Sequence, residues 1–226
     1  MISLTNKRTM HRWLAGAAAV AATAMAGFAS VESQQDAAQP ATAEGPKVEV
    51  NEKAPDFTLT DLSGNEHTLS EYIEKGHTVV IEWFNPECPY VKKHYREDTM
   101  TMVKLQKDWK EQKITWLRIN SGAPGKQGAG ADKNRDYGEK WQITSPILLD
   151  EEGKVGQMYG ARRTPEMYVI DSEGILRYWG AIDDDSGFRT IGKTNFVEQA
   201  VKSVLAGETV RVQKTRAYGC SVKYAG

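Results

Sequence analysis

The stretch "HTVVIEWFNPECPYVKKHY", residues 77–95, decides the fold because it runs from a buried strand into a helix through a single cysteine. Residues 77–84 are mostly apolar, β-branched or aromatic, which predicts a central strand buried on both faces. Cys88 follows between two prolines, and Pro89 suits the first position of a helix. Apolar residues then recur at helical spacing, so the pattern predicts one long helix over residues 89–110, with Cys88 at its N-terminus.

The elements that follow predict a mixed sheet. Residues 113–120, "KITWLRIN", read as a second buried strand, and the order strand, helix, strand implies parallel pairing through a right-handed crossover. The Gly- and Pro-rich residues 121–130 predict a long exposed loop, which we place at the rim of the site. Residues 166–180 carry a β-hairpin signature, and a capped helix is expected between Asn195 and Gly207.

The length and the composition indicate one globular domain with tails: the chain has 226 residues, of which 40% are hydrophobic. Three basic residues and then an Ala-rich apolar run predict a secretory signal over residues 1–29 and a flexible leader over residues 30–47. The domain is expected over residues 48–210, followed by a mobile tail, residues 211–226, that carries Cys220. We therefore expect a periplasmic or secreted protein with no membrane span in its mature form; an uncleaved N-terminal anchor is the alternative.

The charges nearly balance, with 29 Lys and Arg against 30 Asp and Glu and a formal net charge of -1. No bulk field therefore draws the chain to nucleic acid or to anionic lipid. The function must come from a local site, and we expect no nucleic-acid partner.

Four motifs in order resemble a known family: "APDFTLTDLSGNEHTLSEY", "NPECPYVKKHY", "YGARRTPEMYVID" and "YGCSVKY". They are similar to the redoxin family, the alkyl hydroperoxide reductase and thiol-specific antioxidant proteins, in its peroxiredoxin-like branch. The resemblance implies an α/β, thioredoxin-like fold with a central mixed sheet flanked by helices, and a thiol-dependent oxidoreductase without a cofactor. The family's proline before the hairpin is typically cis, and Pro165 after Thr164 matches it. Such a turn brings its backbone beside the cysteine and offers an edge for a bound substrate.

The surroundings of Cys88 in the sequence predict a reactive thiol, because only the thiolate is a good nucleophile. A helix N-terminus lowers the pKa of a cysteine. Lys92, Lys93 and His94 lie about one turn further on and are expected to add positive charge, whereas Glu87 opposes them. The balance favours the thiolate.

The resemblance has two departures. Thioredoxin-type disulfide exchangers carry a second cysteine three residues after the first, where this chain has Val91. Peroxidatic members usually place Thr or Ser three residues before the cysteine and Pro further upstream, where this chain has Asn85 and Ile81. Neither motif is complete, and Cys220 is the candidate resolving cysteine.

We expect the substrate pocket to be formed by Asn85, Arg162, Thr164 and Pro165. Asn85 is a candidate donor of a hydrogen bond to a peroxide or to the thiolate, and Arg162 is a candidate source of positive charge. The alternatives are a turn-forming Asn and a solvated surface Arg.

The preferred cycle, on family resemblance alone, starts with attack of the Cys88 thiolate on a hydroperoxide, which gives a sulfenic acid. Cys220 condenses with it to a disulfide, and a thioredoxin-like dithiol partner reduces that disulfide. The alternative cycle uses the same two cysteines on a protein or small-molecule disulfide.

Three further interpretations stay open. Cys88 and Cys220 are candidates for a permanent structural disulfide in an extracytoplasmic protein. Cys88 and His94 are candidate ligands in a metal carrier, although their spacing is poor for one helix face, and we predict no metal. The last alternative is a thioredoxin-like binding module with an inert, buried thiol.

Overall fold

The computed structural model describes residues Val48–Gly226; the predicted signal (1–29) and leader (30–47) lie outside the described residues. The strands are β1 (Thr58–Asp61), β2 (Glu66–Thr68), β3 (Thr78–Trp83), β4 (Ile114–Asn120), β5 (Ile147–Leu149), β6 (Arg163–Thr164), β7 (Glu166–Ile170), β8 (Leu176–Gly180) and β9 (Cys220–Ser221). The helices are α1 (Leu69–Glu74), α2 (Pro89–Lys92), α3 (Thr101–Asp108), α4 (Ala131–Lys140), α5 (Lys154–Met158) and α6 (Phe196–Leu205).

Seven strands form one mixed sheet in the order β2-β1-β5-β4-β3-β7-β8. β3, β4 and β5 are parallel, whereas β1 and β7 join this parallel core antiparallel to it, at β5 and β3 respectively. β7 and β8 form the predicted hairpin. The parallel pair, the antiparallel hairpin and the flanking helices confirm the predicted α/β architecture.

All six residues of β3 are buried, as expected for a central strand with a core on each face. Val80 and Phe84 point into one core, which α3 and α6 cover, and Ile81 and Trp83 point into the other. Because successive side chains alternate between the faces, the continuous apolar run of the sequence supplies both cores at once.

A buried ion pair ties β3 to β4 beneath the segment that follows Cys88. Glu82 and Arg118 are cross-strand partners, each 1% exposed, with Arg118 Nε 3.5 Å from Glu82 Oε2. The Tyr95 hydroxyl donates to Glu82 Oε2 over 2.5 Å and accepts from Arg118 Nε over 2.7 Å. Burial raises the pKa of the Glu82 carboxyl, and the Arg118 charge opposes that rise.

The prediction of one long helix over residues 89–110 was wrong, because the chain breaks between α2 and α3. The Thr99 hydroxyl donates to the Lys93 carbonyl over 2.6 Å, and Met100 takes the left-handed conformation, with φ of 44°. A left-handed residue redirects the chain, so the helix cannot continue through it. The apolar side chains of both helices still face one core, which is why their spacing looked continuous.

The segment expected to be a mobile tail, residues 211–226, is packed against the domain. It first follows β8: Trp179 N donates to Gln213 O and Thr215 N donates to Trp179 O, each over 3.0 Å. It then enters β9, which pairs with β6 in a separate two-stranded sheet. Within the described residues no helix is long and apolar enough to cross a membrane.

We predict that Arg118→Met lowers the free energy of unfolding by about 3–5 kcal/mol, because it leaves the Glu82 carboxyl buried without its cation. Urea denaturation measures the loss. The double variant Glu82→Gln/Arg118→Met is the control: it removes the charge as well, so it should recover at least half of the loss. A double variant as unstable as the single one would show that the two charges are not coupled.

Candidate active site

Cys88 lies where β3 ends and α2 begins. It is the residue that caps α2, with φ of -71° and ψ of 123°, and Pro89 occupies the first helical turn. The Cys88 N–H donates to Asn85 O over 3.1 Å, and its carbonyl accepts from Lys92 N over 2.9 Å. The predicted placement at a helix N-terminus is therefore confirmed, although α2 has only four residues.

The Cys88 thiol is fully buried and has two close neighbours. Its Sγ lies 3.0 Å from the Thr164 carbonyl oxygen and 2.8 Å from Cys220 Sγ. A disulfide bond has sulfurs about 2.05 Å apart, so these are two free thiols in contact. The fold thus brings together two cysteines that are 132 residues apart.

The backbone of β6 and β9 fixes this contact. Thr164 is the antiparallel partner of Cys220, and the Thr164–Pro165 peptide bond is cis, as the family resemblance implies. Gly219 approaches this turn so closely that an added Cβ would lie 2.1 Å from Thr164 O, and its φ is +117°. The position before Cys220 therefore requires glycine.

A buried polar cluster joins the end of α2 to the C-terminal segment, two residues before Cys220. Lys93, His94 and Asp183 are at most 4% exposed. The Tyr218 hydroxyl donates to Asp183 Oδ1 over 2.5 Å and lies 2.9 Å from His94 Nε2. Lys93 Nζ lies 3.4 Å from Asp183 Oδ1 and 4.4 Å from the centroid of the Tyr218 ring, and it donates to the Asp185 carbonyl over 2.5 Å.

The electrostatics of this cluster correct the prediction of positive charge beside Cys88. Burial lowers the pKa of His94 to about 3, against the opposing effect of Asp183, so His94 is neutral at pH 7. Burial also lowers the pKa of Lys93, and its ammonium group is paired with Asp183. Lys92 is half-buried, with its Nζ 5.5 Å from the centroid of the Tyr137 ring.

Asn85 is buried, and both ends of its side-chain amide are engaged. Its Nδ2 donates to Gln127 O over 3.0 Å, and its Oδ1 accepts from Glu87 N over 2.9 Å. An added Cβ at Gly128 would lie 2.0 Å from Asn85 Oδ1, so the Gly-rich loop packs directly on this turn. These contacts fit the turn-forming interpretation of Asn85.

Arg162 has an exposed side chain, and its backbone N–H donates to Glu166 Oε2 over 2.8 Å. Arg163, which the sequence analysis did not select, has its Nη1 3.5 Å from Gly219 O. It also lines a cavity of about 480 Å³ beside the C-terminal segment. The other residues around this cavity are Tyr90, Ser186, Arg216, Ala217, Tyr218 and Gly219.

The metal-carrier alternative has no support in the geometry. Within residues 48–226 no group of three or more His, Cys, Asp and Glu side chains could hold a metal ion. His94 Nε2 is engaged with the Tyr218 hydroxyl instead.

Comparison with known proteins identifies a matching family, a relative of similar sequence and solved structures with the same fold. The family model of AhpC/TSA matches residues 50–179. The thiol-disulfide oxidoreductase ResA of Geobacillus kaustophilus is 32% identical over 130 residues, which are 58% of this chain and 68% of that protein.

Two solved structures share the fold. An uncharacterized conserved protein from Geobacillus kaustophilus superposes with a TM-score of 0.70 at 26% identity, over 78% of this chain and 93% of that one. The thioredoxin domain of a thiol-disulfide oxidoreductase from Bacteroides vulgatus has a TM-score of 0.50 at 16% identity, over 70% of this chain and 99% of that domain. The thioredoxin-like fold predicted from the motifs is thereby confirmed.

We predict that His94 makes the protein less stable in acid. Its pKa is about 3 in the folded chain and returns to the ordinary value of 6.5 on unfolding, so between these values the unfolded chain binds the proton and the folded chain does not. The stability linked to this group is therefore present above about pH 6.5 and is lost as the pH falls towards 3. The free energy of unfolding should drop by about 2–3 kcal/mol from this source between about pH 7 and pH 4.5.

Urea denaturation at the two pH values, on wild type and His94→Gln, measures this effect. The variant lacks the titrating group, so the stability difference between the two chains should shrink by that amount at the lower pH. An unchanged difference would mean that His94 keeps its ordinary pKa in the folded protein.

Proposed function

This chain belongs to the AhpC/TSA family and is a thiol-dependent oxidoreductase, and from that premise we propose that it exchanges disulfides through Cys88 and Cys220. The observation that carries the proposal is the 2.8 Å contact between the two Sγ atoms, held by the pairing of Thr164 with Cys220. A pair in contact can form and break one disulfide without rearrangement of the seven-stranded sheet.

The exchange has two steps. The Cys88 thiolate attacks one sulfur of a partner disulfide, so a mixed disulfide forms and the partner's other sulfur leaves as a thiolate, which takes up a proton. The Cys220 thiolate then attacks Cys88 Sγ, which gives the Cys88–Cys220 disulfide and releases the second partner thiol. The partner gains two electrons, and an external dithiol restores the reduced pair.

The raised pKa of Cys220 explains why Cys88 attacks first and Cys220 second. Burial raises the pKa of Cys220 to about 12, and the hydrogen bond to Cys88 and the Cys88 charge act in the same direction. Cys220 therefore keeps its proton and does not start the exchange. In the mixed disulfide Cys88 has neither a charge nor a thiol proton, so both of its contributions disappear and the pKa of Cys220 falls, which favours attack of Cys220 on Cys88 Sγ.

In the return reaction, which reduces the Cys88–Cys220 disulfide, the exposure of the two sulfurs indicates that Cys220 reacts first. Cys88 is 0% exposed, whereas Cys220 is partly exposed. An incoming dithiol therefore meets Cys220 first, and Cys88 is the sulfur that leaves. A thioredoxin-like dithiol protein is the partner class that fits this step.

Two observations favour a disulfide over a peroxide as the substrate. The Asn85 amide, the predicted donor to a peroxide, is occupied by Gln127 and Glu87, and the Arg162 side chain is exposed. The relative from Geobacillus kaustophilus is named a thiol-disulfide oxidoreductase.

Hydroperoxide reduction is the second candidate, and the AhpC/TSA match favours it. In that reaction the Cys88 thiolate takes one oxygen to become a sulfenic acid, and the alcohol leaves. Cys220 then displaces water to give the same disulfide.

We also place the mature protein outside the cytoplasm, on the basic and then apolar character of residues 1–29. In such a compartment a Cys88–Cys220 disulfide persists until a dedicated dithiol partner reduces it.

We predict that one equivalent of glutathione disulfide oxidises both thiols of the reduced wild type, and that alkylation followed by intact mass shows the loss of two free thiols. Cys220→Ser should stop at a mixed disulfide on Cys88, because no second thiol resolves it. Cys88→Ser, the matched control, should react at least about a hundredfold more slowly, because burial, the main cause of the raised pKa of Cys220, acts in this variant too. The assignment of Cys88 as the attacking thiol would be contradicted if Cys88→Ser formed a mixed disulfide on Cys220 as fast as Cys220→Ser forms one on Cys88.

A parallel reaction with one equivalent of hydrogen peroxide separates the two candidate functions. We expect oxidation of the wild type by peroxide to be at least about tenfold slower than by the disulfide, since the Asn85 amide, the predicted donor to a peroxide, is already hydrogen-bonded to Gln127 and Glu87. Faster loss of thiols with peroxide, and a sulfenic adduct on Cys88 in Cys220→Ser, would make hydroperoxide reduction the function.

A further inference from the structure

The C-terminal segment lies along β6 as an extended strand in a groove that the domain itself forms. Thr164 pairs with Cys220, and beyond this pair Val222 N donates to Arg162 O over 3.2 Å. Lys223 O accepts from Ala123 N over 2.8 Å. The groove therefore binds the backbone of an extended segment and places one cysteine of that segment against Cys88.

Two residues before this cysteine, a buried polar pocket holds the side chain of Tyr218. The pocket is made by Lys93 and His94 after α2 and by Asp183 after β8, so the domain supplies all three groups. They match a phenol: Asp183 accepts its proton, His94 Nε2 contacts its oxygen, and the Lys93 ammonium lies over its ring. A smaller or apolar side chain would leave Asp183 and His94 without these contacts.

The residue between the tyrosine and the cysteine has no space for a side chain. Gly219 would place an added Cβ 2.1 Å from Thr164 O. The groove thus selects the pattern tyrosine, glycine, cysteine. The pocket accepts the tyrosine, the close approach to Thr164 O requires the glycine, and backbone pairing with Thr164 positions the cysteine.

A partner disulfide reaches Cys88 only when this segment moves, because Cys88 is 0% exposed with Cys220 in place. When residues 218–224 leave, the Tyr218 pocket and the edge of β6 become free together. The pocket residues and the backbone of β6 can then bind another segment with the same pattern of residues.

We propose that this groove is the docking site for the reducible partner protein, through an extended segment with a tyrosine two residues before its reacting cysteine and a glycine between them. This partner segment displaces residues 218–224. The proposal rests on the proposed disulfide exchange, since it puts the partner cysteine where Cys220 now touches Cys88.

The test uses the full chain with its own segment evicted and a fluorescent peptide of sequence RAYGSSVKY, which is residues 216–224 with Ser at the cysteine position. The host is Gly219→Val/Cys220→Ser, in which the valine collides with Thr164 O. We expect the peptide to bind this host at least about tenfold more tightly than Cys220→Ser alone, by fluorescence anisotropy. Tyr218→Ala/Cys220→Ser, which frees the pocket without a collision but leaves the backbone bonds of Val222 and Lys223 in place, should also bind the peptide more tightly than Cys220→Ser does.

The peptide itself carries the matched control, so host folding does not enter the comparison. Tyr→Ala in the peptide should weaken binding at least about tenfold, the loss expected for one hydrogen bond to a charged group, and Tyr→Phe should fall between. Equal binding of the Tyr and Ala peptides would overturn the tyrosine pocket. No binding to either evicted host would overturn the docking groove.

These measurements involve no redox step, because both the peptide and the host carry Ser in place of the second cysteine. Failure of the peptide to bind, with normal thiol exchange, would therefore reject the docking groove alone. Binding without thiol exchange would reject the proposed function alone.

Discussion

The two-residue antiparallel ladder between β6 and β9 is the constraint on which the site depends. It holds the Cys220 thiol against Cys88, which without the ladder would be a single thiol between β3 and α2. The ladder is itself positioned by Glu166, whose Oε2 accepts from the backbone N–H groups of Arg162 and Arg163 and whose Oε1 accepts from Trp179 Nε1. One buried carboxylate thus fixes β6 to β8.

The sequence was most informative where one local pattern sufficed. The apolar run predicted β3, the turn residues predicted the hairpin of β7 and β8, and the capping residues predicted α6. The Asn195 side chain accepts from Glu198 N, as the capping box requires. The break between α2 and α3 depends on Thr99 and Met100, neither of which is a recognised helix-ending residue. Periodicity could not locate it, because both helices face one core.

The candidate site was predictable in part for the same reason. Cys88 follows from the strand and the prolines around it, and Thr164 and Pro165 followed from the family resemblance. The charges of Lys93 and His94 were misjudged because sequence spacing does not show which way a side chain points, and Asp183 lies 90 residues after Lys93. Tyr218 stood in the quoted "YGCSVKY" motif, yet its partner groups appear only in the folded chain.

The second cysteine lies outside the part of the chain that matches the family, which ends at residue 179. The C-terminal segment is therefore held differently in the oxidised and the reduced chain, which would not be so if both cysteines lay in one helix. A Cys88–Cys220 disulfide ties the C-terminal segment covalently into the groove, whereas in the reduced chain only hydrogen bonds and packing hold it there. Any partner that competes for the groove therefore binds the reduced chain more tightly than the oxidised one, and by linkage its binding stabilises the reduced state. Because stabilisation of the reduced state makes a dithiol a weaker reductant, the driving force for reduction of a partner disulfide must come from closure of the Cys88–Cys220 disulfide and not from docking.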